Sequence, residues 1–499
     1  MIVVTVSGVE GSRGVGRPAR TPGPVGTLVV KASPARHEER RYILDVVLSE
    51  WLGLDWRLAV EDRDDVRIEL DGGTGTAGVT LPDVLLRTPR TQWLTPASLP
   101  RSPLPRVPVG PRAAGPLRGA DLLPVLYGHR GDGPSSLLTH DGDDVHLQVD
   151  LFGSAFFMLT RYEELLDSPR DRHGRFPASS SLAAREGFLG TPIVDAYVEL
   201  LWAALERGWP RLRRRPRRYR VLLTHDVDDP LATLGRTPVL TARQFAADLV
   251  HRHDPGLAVR RARAVLAARR GDHEPDVHNT FDFLMDVSER HGLRSAFYFL
   301  ADNEVRAGAQ PCHVLGHRWV RDLVGRVHRR GHEVGLHAGF GTYRDADATR
   351  AEFDLLRAIA DEQGVDQQRW GGRQHYLQWV NPVTWRNWDA AGLDYDCTLG
   401  WADQVGFRTG TCREYPVFDL LERRPLRLRE RPFQVMDVTL AGYLSLTPEA
   451  AAGAVLAVAR ECRRYRGTLG VLWHNDEVLR TSGEKRWYAS LVAAAVAAG

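Results

Sequence analysis

The chain has 499 residues, 43% of them hydrophobic, which supplies a large core and, at this length, predicts two or three domains. Its 66 basic and 63 acidic residues nearly cancel to a net charge of +3, so no overall field would hold the protein on nucleic acid or on an anionic membrane. The cysteines are too few for a disulfide framework and form no Cys-x-x-Cys pair of a structural zinc site. We expect reduced and mostly buried thiols at Cys312, Cys397, Cys412 and Cys462.

The first segment of the chain, residues 1–26, is rich in Gly, Pro and Arg and lacks hydrophobic periodicity, which predicts a disordered extension. It also lacks the basic stretch, apolar stretch and cleavage site of a secretory signal. No run in the sequence approaches the ~18 to 20 apolar residues that span a bilayer. These features predict a cytoplasmic protein without a membrane span.

Residues 27–210 mix the two kinds of periodicity. TLVVKAS and VRIELDG alternate as strands do, whereas HEERRYILDVVLSEWLGL, DLFGSAFFMLTRYEELLDS and PIVDAYVELLWAALERGW have helical spacing. This pattern predicts an accessory α/β domain. The run RLRRRPRRYR, residues 211–220, reads as a solvated basic linker, with contact to phosphate or anionic lipid as the alternative.

From about residue 217 to the end at 499, strand and helix patterns alternate. The pattern predicts a parallel sheet or barrel with helices outside it, an α/β fold. The candidate strands are RVLLTHD, RSAFYFL, HEVGLH, GGRQHYL, DYDCTLG, PFQVMDV and TLGVLWH.

The first of these strands ends in two carboxylates. Asp226 and Asp228 share one face by the period of two, while His225 points to the other face. Two adjacent carboxylates repel each other at a cost of order 1 kcal/mol, which a cation or a proton relieves. The alternative is a group of helix-capping aspartates.

Three further strands end in polar side chains of the same kind. His337 ends the third strand, Arg373 and His375 share a face on the fourth, and His474 ends the last. Carboxyl ends of parallel strands meet at one rim, so these groups are expected to converge there. A neutral imidazole suits Zn²⁺ or a similar metal.

These motifs resemble the NodB-like polysaccharide deacetylases, carbohydrate esterase family 4, over about residues 217–480. The resemblance implies a distorted (β/α)7-type barrel, with the N-terminal α/β domain as an addition, and one divalent metal, zinc, with nickel or cobalt as alternatives. For the motif THDVDDP, the resemblance implies that Asp226 is the base and Asp228 a metal ligand. For GHEVGLH, it implies that His337 is a second metal ligand. RQHY makes Arg373 the group that orients the base, and LWHN makes His474 the general acid.

The sequence departs from this family at one metal ligand. The family places a second histidine four residues after the first, and that position is Gly341 here. His375 is the candidate substitute because its strand neighbours that of His337. His225 competes for the role, but its side chain is expected to leave the strand on the wrong face.

A narrower resemblance is to a bacterial WbmS-like subgroup of deacetylases encoded with surface-polysaccharide genes, over about residues 145–480. The matching stretches are RYEELLDSPRDRHGRF, NTFDFLMDVSERHGLRSAFYFL, RQHYL, YDCTLGWADQVGFRTGTC and WHN.

Together the resemblances imply a metal-dependent hydrolase that removes an acetyl group from an N-acetylated sugar in surface-polysaccharide biosynthesis. Asp396 and Asp437 would position the acid or bind sugar hydroxyls, with structural capping as the alternative. Trp401 and Trp473 would stack on a sugar ring, or simply pack. The full set of expected substrate-binding residues is Tyr376, Asp396, Trp401, Asp437, Trp473 and Asn475.

Three other functions compete with this one. Gly341 favours a catalytically degenerate member that binds glycan or acts as a scaffold, although retention of Asp226 and His474 argues against an idle site. Another metal-dependent amide hydrolysis, such as opening of a cyclic amide, would use the same groups. A nucleic-acid binder lacks any basic and aromatic interleaving. The sugar, its carrier and the oligomeric state stay open.

Overall fold

The protein is described by a computed structural model. The described residues are 26–72, 77–110, 115–117, 122–128, 136–166, 169–250, 253–301, 314–476 and 481–498. The predicted N-terminal extension, apart from Gly26, and Cys312 lie outside these residues. The other three cysteines are buried and free, as expected.

The N-terminal unit is built on a mixed sheet of six strands in the order β2-β1-β3-β4-β8-β7, with a separate β5-β6 pair. Both strands predicted in this region are present, as β1 and β3, and they pair antiparallel. The bounds are β1 Leu28–Ala32, β2 Trp56–Val60, β3 Asp65–Leu70, β4 Val79–Pro82, β5 Arg106–Pro108, β6 Leu122–Pro124, β7 Leu138–Asp141 and β8 Asp144–Leu147.

The helices of this unit pack on the sheet and on one another, α2 against α5 and α5 against β4 and β8. The helix α2 is buried along its whole length, and Asp150 caps it by accepting from the backbone N–H of Gly153. The first helix continues directly into π-helical turns over Asp45–Leu52. The bounds are α1 His37–Leu44, α2 Leu151–Leu159, α3 Tyr162–Leu165, α4 Leu182–Arg185 and α5 Ile193–Gly208.

The second sheet has nine strands in the order β14-β15-β13-β12-β11-β10-β9-β17-β16. All pairs are parallel except β14 with β15. All seven strands predicted from residue 217 onward are present. The bounds are β9 Arg220–Val227, β10 Ala296–Leu300, β11 Glu333–Ala338, β12 Gly371–Gln374, β13 Tyr395–Asp396, β14 Tyr415–Asp419, β15 Arg424–Glu430, β16 Val435–Met436 and β17 Thr468–Leu472.

Along the sheet, the seven predicted strands lie in the order β13, β12, β11, β10, β9, β17 and β16. They would have the same order around a seven-stranded barrel that is open between β13 and β16. Within the described residues no strand pairing joins these two, so the sheet is open and the expected barrel is not confirmed. Instead β13 pairs with β15, which begins the unpredicted β14-β15 hairpin. The predicted α/β class is present, with parallel strands at its centre.

Amphipathic helices follow most strands of this sheet. In α10, Asp345 caps the first turn, and the buried positions include Phe353, Leu356 and Ile359, one helical face. The bounds are α6 Pro238–Val250, α7 Pro255–Ala268, α8 Phe281–Arg290, α9 Arg318–Arg329, α10 Ala346–Glu362, α11 Val383–Ala391, α12 Pro448–Arg464 and α13 Ser482–Ala497. Across the described part of the chain, no helix combines the length and apolar character needed to cross a membrane.

The two units share one hydrophobic core. A single cluster of buried apolar side chains extends from Leu28 to Ala495 and includes both sheets. Phe418 of the β14-β15 hairpin packs against Tyr42 of α1 at 4.9 Å between ring centroids. In the basic stretch between the units, Arg214 pairs with Glu199 at 2.7 Å, so part of the predicted linker packs on α5.

Candidate active site

A cavity of about 200 Å³ opens where β9, β11, β12 and β17 end at one rim of the second sheet. Parallel strands bring their carboxyl ends together, so residues far apart in sequence meet there. The residues lining the cavity are Arg175, Asp226, Asp228, His337, His375, Tyr376, Leu377, Met436, Val438, Tyr443, Leu472, His474 and Asp476.

Three of these residues form a compact group of possible metal ligands, Asp228, His337 and His375. The Asp228 carboxylate lies 3.0 Å from His337 Nε2 through Oδ1 and 3.4 Å from His375 Nε2 through Oδ2. One donor atom from each residue lies within 4.8 Å of the others. The structure therefore brings together the ligand set that the sequence predicts, including the substitute His375.

The His337 ring is oriented by the neighbouring strand. Because β11 and β12 pair with His337 opposite Arg373, His337 Nδ1 lies 2.9 Å from the carbonyl oxygen of Arg373. That oxygen can only accept, so Nδ1 carries a proton and the lone pair of neutral His337 is on Nε2, facing Asp228. This tautomer is the one that a metal would need.

The electrostatics of the group favour a bound positive charge. Burial opposes ionisation of Asp228, but the neighbouring His375 and His337 rings outweigh burial and hold the pKa of its carboxyl well below the usual range. Burial also lowers the pKa of His337, but the Asp226 and Asp228 carboxylates outweigh it and raise that pKa above the ordinary value. The carboxylates thus attract a cation to this point, either a proton or a metal ion.

Asp226 is held by Arg373. The Arg373 guanidinium has no exposed surface and donates from Nη1 to Asp226 Oδ1 at 2.5 Å, from Nη2 to Thr224 Oγ1 at 2.9 Å, and from Nε to the carbonyl oxygen of Cys397 at 2.8 Å. Burial opposes the guanidinium charge, but Asp226 outweighs it and raises the pKa of Arg373. These fixed bonds aim the Asp226 carboxylate at the cavity.

His474 is paired with a buried carboxylate. Its Nδ1 lies 2.8 Å from Asp437 Oδ1, and its backbone N–H donates to Asp437 Oδ2 at 2.7 Å. Burial alone lowers the pKa of His474, but the Asp437 carboxylate outweighs burial and raises that pKa well above the ordinary value. The pairing with Asp437 therefore favours the imidazolium form of the ring, with Nε2 directed away from Asp437.

Several predicted substrate-binding residues do not line the cavity. Trp401 and Trp473 are 2% and 1% exposed, and they pack against Phe176 and Trp487 respectively. A strand end fixes where a residue lies but not the direction in which a large ring points. The stacking role predicted for these tryptophans therefore has no exposed ring face to support it.

Two predicted polar residues are buried beside the cavity rather than in it. Asp396 accepts from the backbone N–H of Thr398, and burial raises the pKa of its carboxyl to about 7. Asn475 Nδ2 donates to the carbonyl oxygens of Asp229 and His278. His225, the competing ligand, points away as expected, with Nδ1 at 3.0 Å from the carbonyl oxygen of Trp473.

The structure adds residues that the sequence did not single out. Tyr443 follows the predicted strand PFQVMDV and is 41% exposed at the cavity mouth beside Tyr376, which is 40% exposed. Arg175 comes from the N-terminal unit and donates from Nη2 to the Tyr443 hydroxyl at 2.7 Å. No local pattern could reveal these contacts, since each joins distant parts of the chain.

A second group of possible ligands lies next to the first, formed by Asp229, His278 and Asp476. His278 Nδ1 lies 3.3 Å from Asp229 Oδ2, and the same oxygen accepts from Arg236. The Arg236 cation already compensates the charge of Asp229, so the first group is the stronger candidate for a metal.

The comparison with protein families finds a match to the N-terminal unit. Residues 29–210 match DUF7033, a family of unknown function. No curated protein matches the chain.

Three solved structures are each similar to somewhat more than half of the chain. A protein assigned as a polysaccharide deacetylase from Mycobacterium smegmatis is 17% identical, with 57% of this chain and 85% of that chain covered and a TM-score of 0.37. The Xyl-CE4 domain of a multidomain xylanase from the hindgut metagenome of Trinervitermes trinervoides is 13% identical, with coverages of 56% and 82% and a TM-score of 0.27. Puue allantoinase is 10% identical, with coverages of 55% and 82% and a TM-score of 0.33. At these identities and TM-scores the similarities assign no activity to this chain.

Proposed function

We propose that the protein is a metal-dependent hydrolase that removes the acetyl group from an N-acetylated sugar. The observation that carries this proposal is the convergence of three different groups on one cavity. These are the Asp228, His337 and His375 group, the Asp226 carboxylate held by Arg373, and the His474 imidazolium paired with Asp437.

The donor set fits a divalent metal of the zinc, nickel or cobalt kind. Two imidazole nitrogens and one carboxylate oxygen are typical of catalytic zinc sites, which use three protein ligands and leave a position open. The tautomer of His337 fits as well, because the Arg373 carbonyl oxygen fixes the proton on Nδ1. Asp228, His337 and His375 would hold the ion, which when bound polarises an amide carbonyl and makes water a better nucleophile near neutral pH.

Asp226 is the proposed general base. Its carboxylate faces the cavity between Arg373 and the ligand group, with Oδ2 at 3.7 Å from His337 Nε2. As the water oxygen adds to the acetamide carbonyl carbon, Asp226 takes the proton that the water loses. The bond from Arg373 Nη1 to Asp226 Oδ1 fixes the direction of the carboxylate for this step.

His474 is the proposed general acid. Its paired imidazolium would donate a proton to the sugar nitrogen as the C–N bond breaks, which releases acetate and a free amino sugar. Because Asp437 holds Nδ1, the proton to be donated is on Nε2. Base and acid thus come from the ends of different strands, β9 and β17, and line the same cavity.

The mouth of the cavity supports a sugar substrate. Tyr443 lines the cavity and is 41% exposed, and an aromatic side chain with a polar tip suits a sugar, which has apolar ring faces and hydroxyl edges. The narrower sequence resemblance implies surface-polysaccharide biosynthesis, and we propose that setting for the reaction, in the cytoplasm.

Metal content per chain tests the proposal directly. The wild-type protein should carry about one divalent ion of the zinc class after incubation with that metal. Asp228→Ala, His337→Ala and His375→Ala should each lose the ion, whereas His291→Ala, a histidine on α8's C-terminal end, should keep it. A wild-type protein that binds no zinc, nickel or cobalt would contradict the proposal and favour a glycan-binding protein without turnover.

Acetate release separates catalysis from binding. With N-acetylhexosamine oligomers as substrates, Asp226→Asn and His474→Gln should retain the metal and lose activity by about 100-fold or more, as expected for a general base or acid. If a metal-loaded wild type releases no acetate but opens a cyclic amide, the substrate class is wrong and the site is that of another amide hydrolase.

A further inference from the structure

The segment that follows β12 has an unusual backbone. Tyr376 and Leu377, the two residues after His375, both have φ of +57°, in the left-handed region. A residue with a Cβ atom is sterically disfavoured there, and such conformations persist where the surroundings hold them. Because His375 directly precedes this turn, the turn's conformation decides where the His375 ring points.

A short loop of the N-terminal unit lies against this turn. We name residues 171–176, DRHGRF, the bracing loop. Asp171 Oδ1 accepts from the backbone N–H groups of His173 and Arg175 at 2.9 Å each, and the Asp171 N–H donates to the carbonyl oxygen of Arg175 at 2.9 Å. These bonds give the loop a fixed shape of its own.

The bracing loop contacts the turn through two side chains. The His173 ring stacks on the Tyr376 ring, with 4.8 Å between centroids and 25° between planes. Arg175 Nη1 donates to the carbonyl oxygen of Tyr376 at 3.5 Å. The Tyr376 ring therefore contacts both His173 and His375, whose ring centroid lies 4.6 Å away.

Gln378 links the bracing loop to the position of the missing histidine. Its Nε2 donates to the carbonyl oxygen of His173 at 2.8 Å, and its Oε1 accepts from the backbone N–H of Gly341 at 2.9 Å. Gly341 has a φ of +90°, which a histidine would adopt only under strain. The backbone at residue 341 is thus shaped for glycine and tied to the segment that carries His375.

We propose that the bracing loop of the N-terminal unit positions His375 as the third metal ligand, and that this arrangement takes the place of a histidine at residue 341. The inference rests on the proposed metal-dependent function. It gives the DRHGRF stretch, which lies within the part of the chain that matches DUF7033, a role in the active site of the other unit.

The test removes the brace without touching a ligand. The double variant His173→Ala, Arg175→Met keeps Asp171 and the backbone bonds of the loop. Its zinc dissociation constant should rise by about 10- to 100-fold, as is typical when an outer partner of a ligand is lost. Competition with a chromophoric chelator measures this constant, and the visible absorption of the cobalt-loaded protein reports the change in ligand geometry.

One control and a second test variant keep the result interpretable. Arg185→Met removes an exposed arginine of the same unit, on α4, and should leave zinc affinity and the cobalt spectrum unchanged. Gln378→Met breaks both bonds of Gln378 by a change of similar size and should weaken zinc binding in the same direction, so it serves if the double variant fails to fold.

The outcomes separate this inference from the proposed function. If the wild type binds no divalent ion, both are overturned. If the wild type binds zinc and the folded brace variants bind it with unchanged affinity and an unchanged cobalt spectrum, the bracing role alone is overturned. Zinc binding that weakens in the brace variants and holds in Arg185→Met supports both.

Discussion

The His474–Asp437 pair determines how the proposed reaction should respond to pH. Burial lowers the pKa of His474, the Asp437 carboxylate raises it, and the carboxylate prevails. A histidine whose pKa is raised stays protonated to higher pH. It loses its proton as the pH rises through the pKa of the folded state. The alkaline limb of the kcat/KM profile should therefore lie well above the ordinary histidine range.

Asp437→Asn should move that limb to lower pH. The amide keeps the shape and can still accept from the His474 backbone N–H, but it removes the charge that opposes burial. Activity near pH 8 should fall by about 100-fold, the typical contribution of a general acid, and recover in part as the pH falls. The pH profile of kcat/KM measures the shift.

A matched change elsewhere gives the control for this prediction. Asp345→Asn alters the cap of α10, where asparagine caps as well as aspartate, and should leave the limb in place. An unchanged limb in Asp437→Asn would mean that His474 is not the group that limits activity at high pH.

At the scale of single residues, the sequence predicts best what lies on the strands themselves. Asp226, His337 and Arg373 are each in a parallel strand, where alternation and the shared rim decide both position and direction. Trp401 and Trp473 follow strands in irregular segments, so their direction depends on packing that a sequence pattern does not contain. Arg175 reaches the cavity from another unit, which only the tertiary structure reveals.

At the scale of elements, a buried ion network joins the short helix α3 to the loop after β13. Arg161 donates from Nε to Glu164 Oε1 at 2.8 Å, and Arg408 donates to both oxygens of Glu164 at 3.0 and 2.7 Å. Burial would raise the pKa of Glu164, but Arg408 and Arg161 outweigh it and lower the pKa to about 2. Both arginines thus share the Glu164 carboxylate, and Arg161 also pairs with Glu163 at 3.0 Å.

Glu164→Gln should destabilise the whole protein. It leaves the buried Arg408 guanidinium without its carboxylate and Arg161 with Glu163 alone, and loss of one partner of a buried pair costs about 3–5 kcal/mol. Because the pKa of Glu164 is lowered, its contribution is present above the unfolded value and is lost as the pH falls towards about 2. The difference in unfolding free energy should be large at pH 7 and shrink as the pH is lowered.

Urea unfolding of the wild type and Glu164→Gln at several pH values measures this difference. Glu422→Gln, an exposed member of a surface pair, should change stability by less than about 0.5 kcal/mol. A cost for Glu164→Gln that is equally small at pH 7 would show that the network contributes no stability.

The sequence predicts some strands of the second unit and misses others. All seven strands predicted in the second unit form, although β13 and β16 are only two residues long. The β14-β15 hairpin was missed because β15 joins β13 across more than twenty intervening residues, a pairing that local periodicity does not encode. That hairpin occupies the edge where a closed barrel would place β16.

At the scale of the whole molecule, the two units depend on each other through charges as well as through the shared core. Arg413 of the second unit pairs with Asp195 of α5, and Arg408 pairs with Glu164 of α3. Tyr42 of α1 donates to the carbonyl oxygen of Pro416 at 2.7 Å. A boundary at residues 211–220 therefore divides the chain in sequence, while the packing on either side of it is continuous.

A fragment of residues 217–499 should not fold by itself. It would expose the apolar surface around Phe418 and leave Arg408 and Arg413 without the carboxylates of the other unit, which removes stabilisation larger than the ~5–15 kcal/mol that a typical protein possesses. Near-ultraviolet circular dichroism and a calorimetric melt of the fragment should show neither fixed aromatic packing nor a cooperative transition. Co-expression with residues 26–216 should restore both, together with zinc binding, because the split leaves every contact between the units in place. A fragment that unfolds cooperatively and binds zinc as tightly as the full chain would instead mean that the N-terminal unit contributes neither to the fold nor to the position of His375.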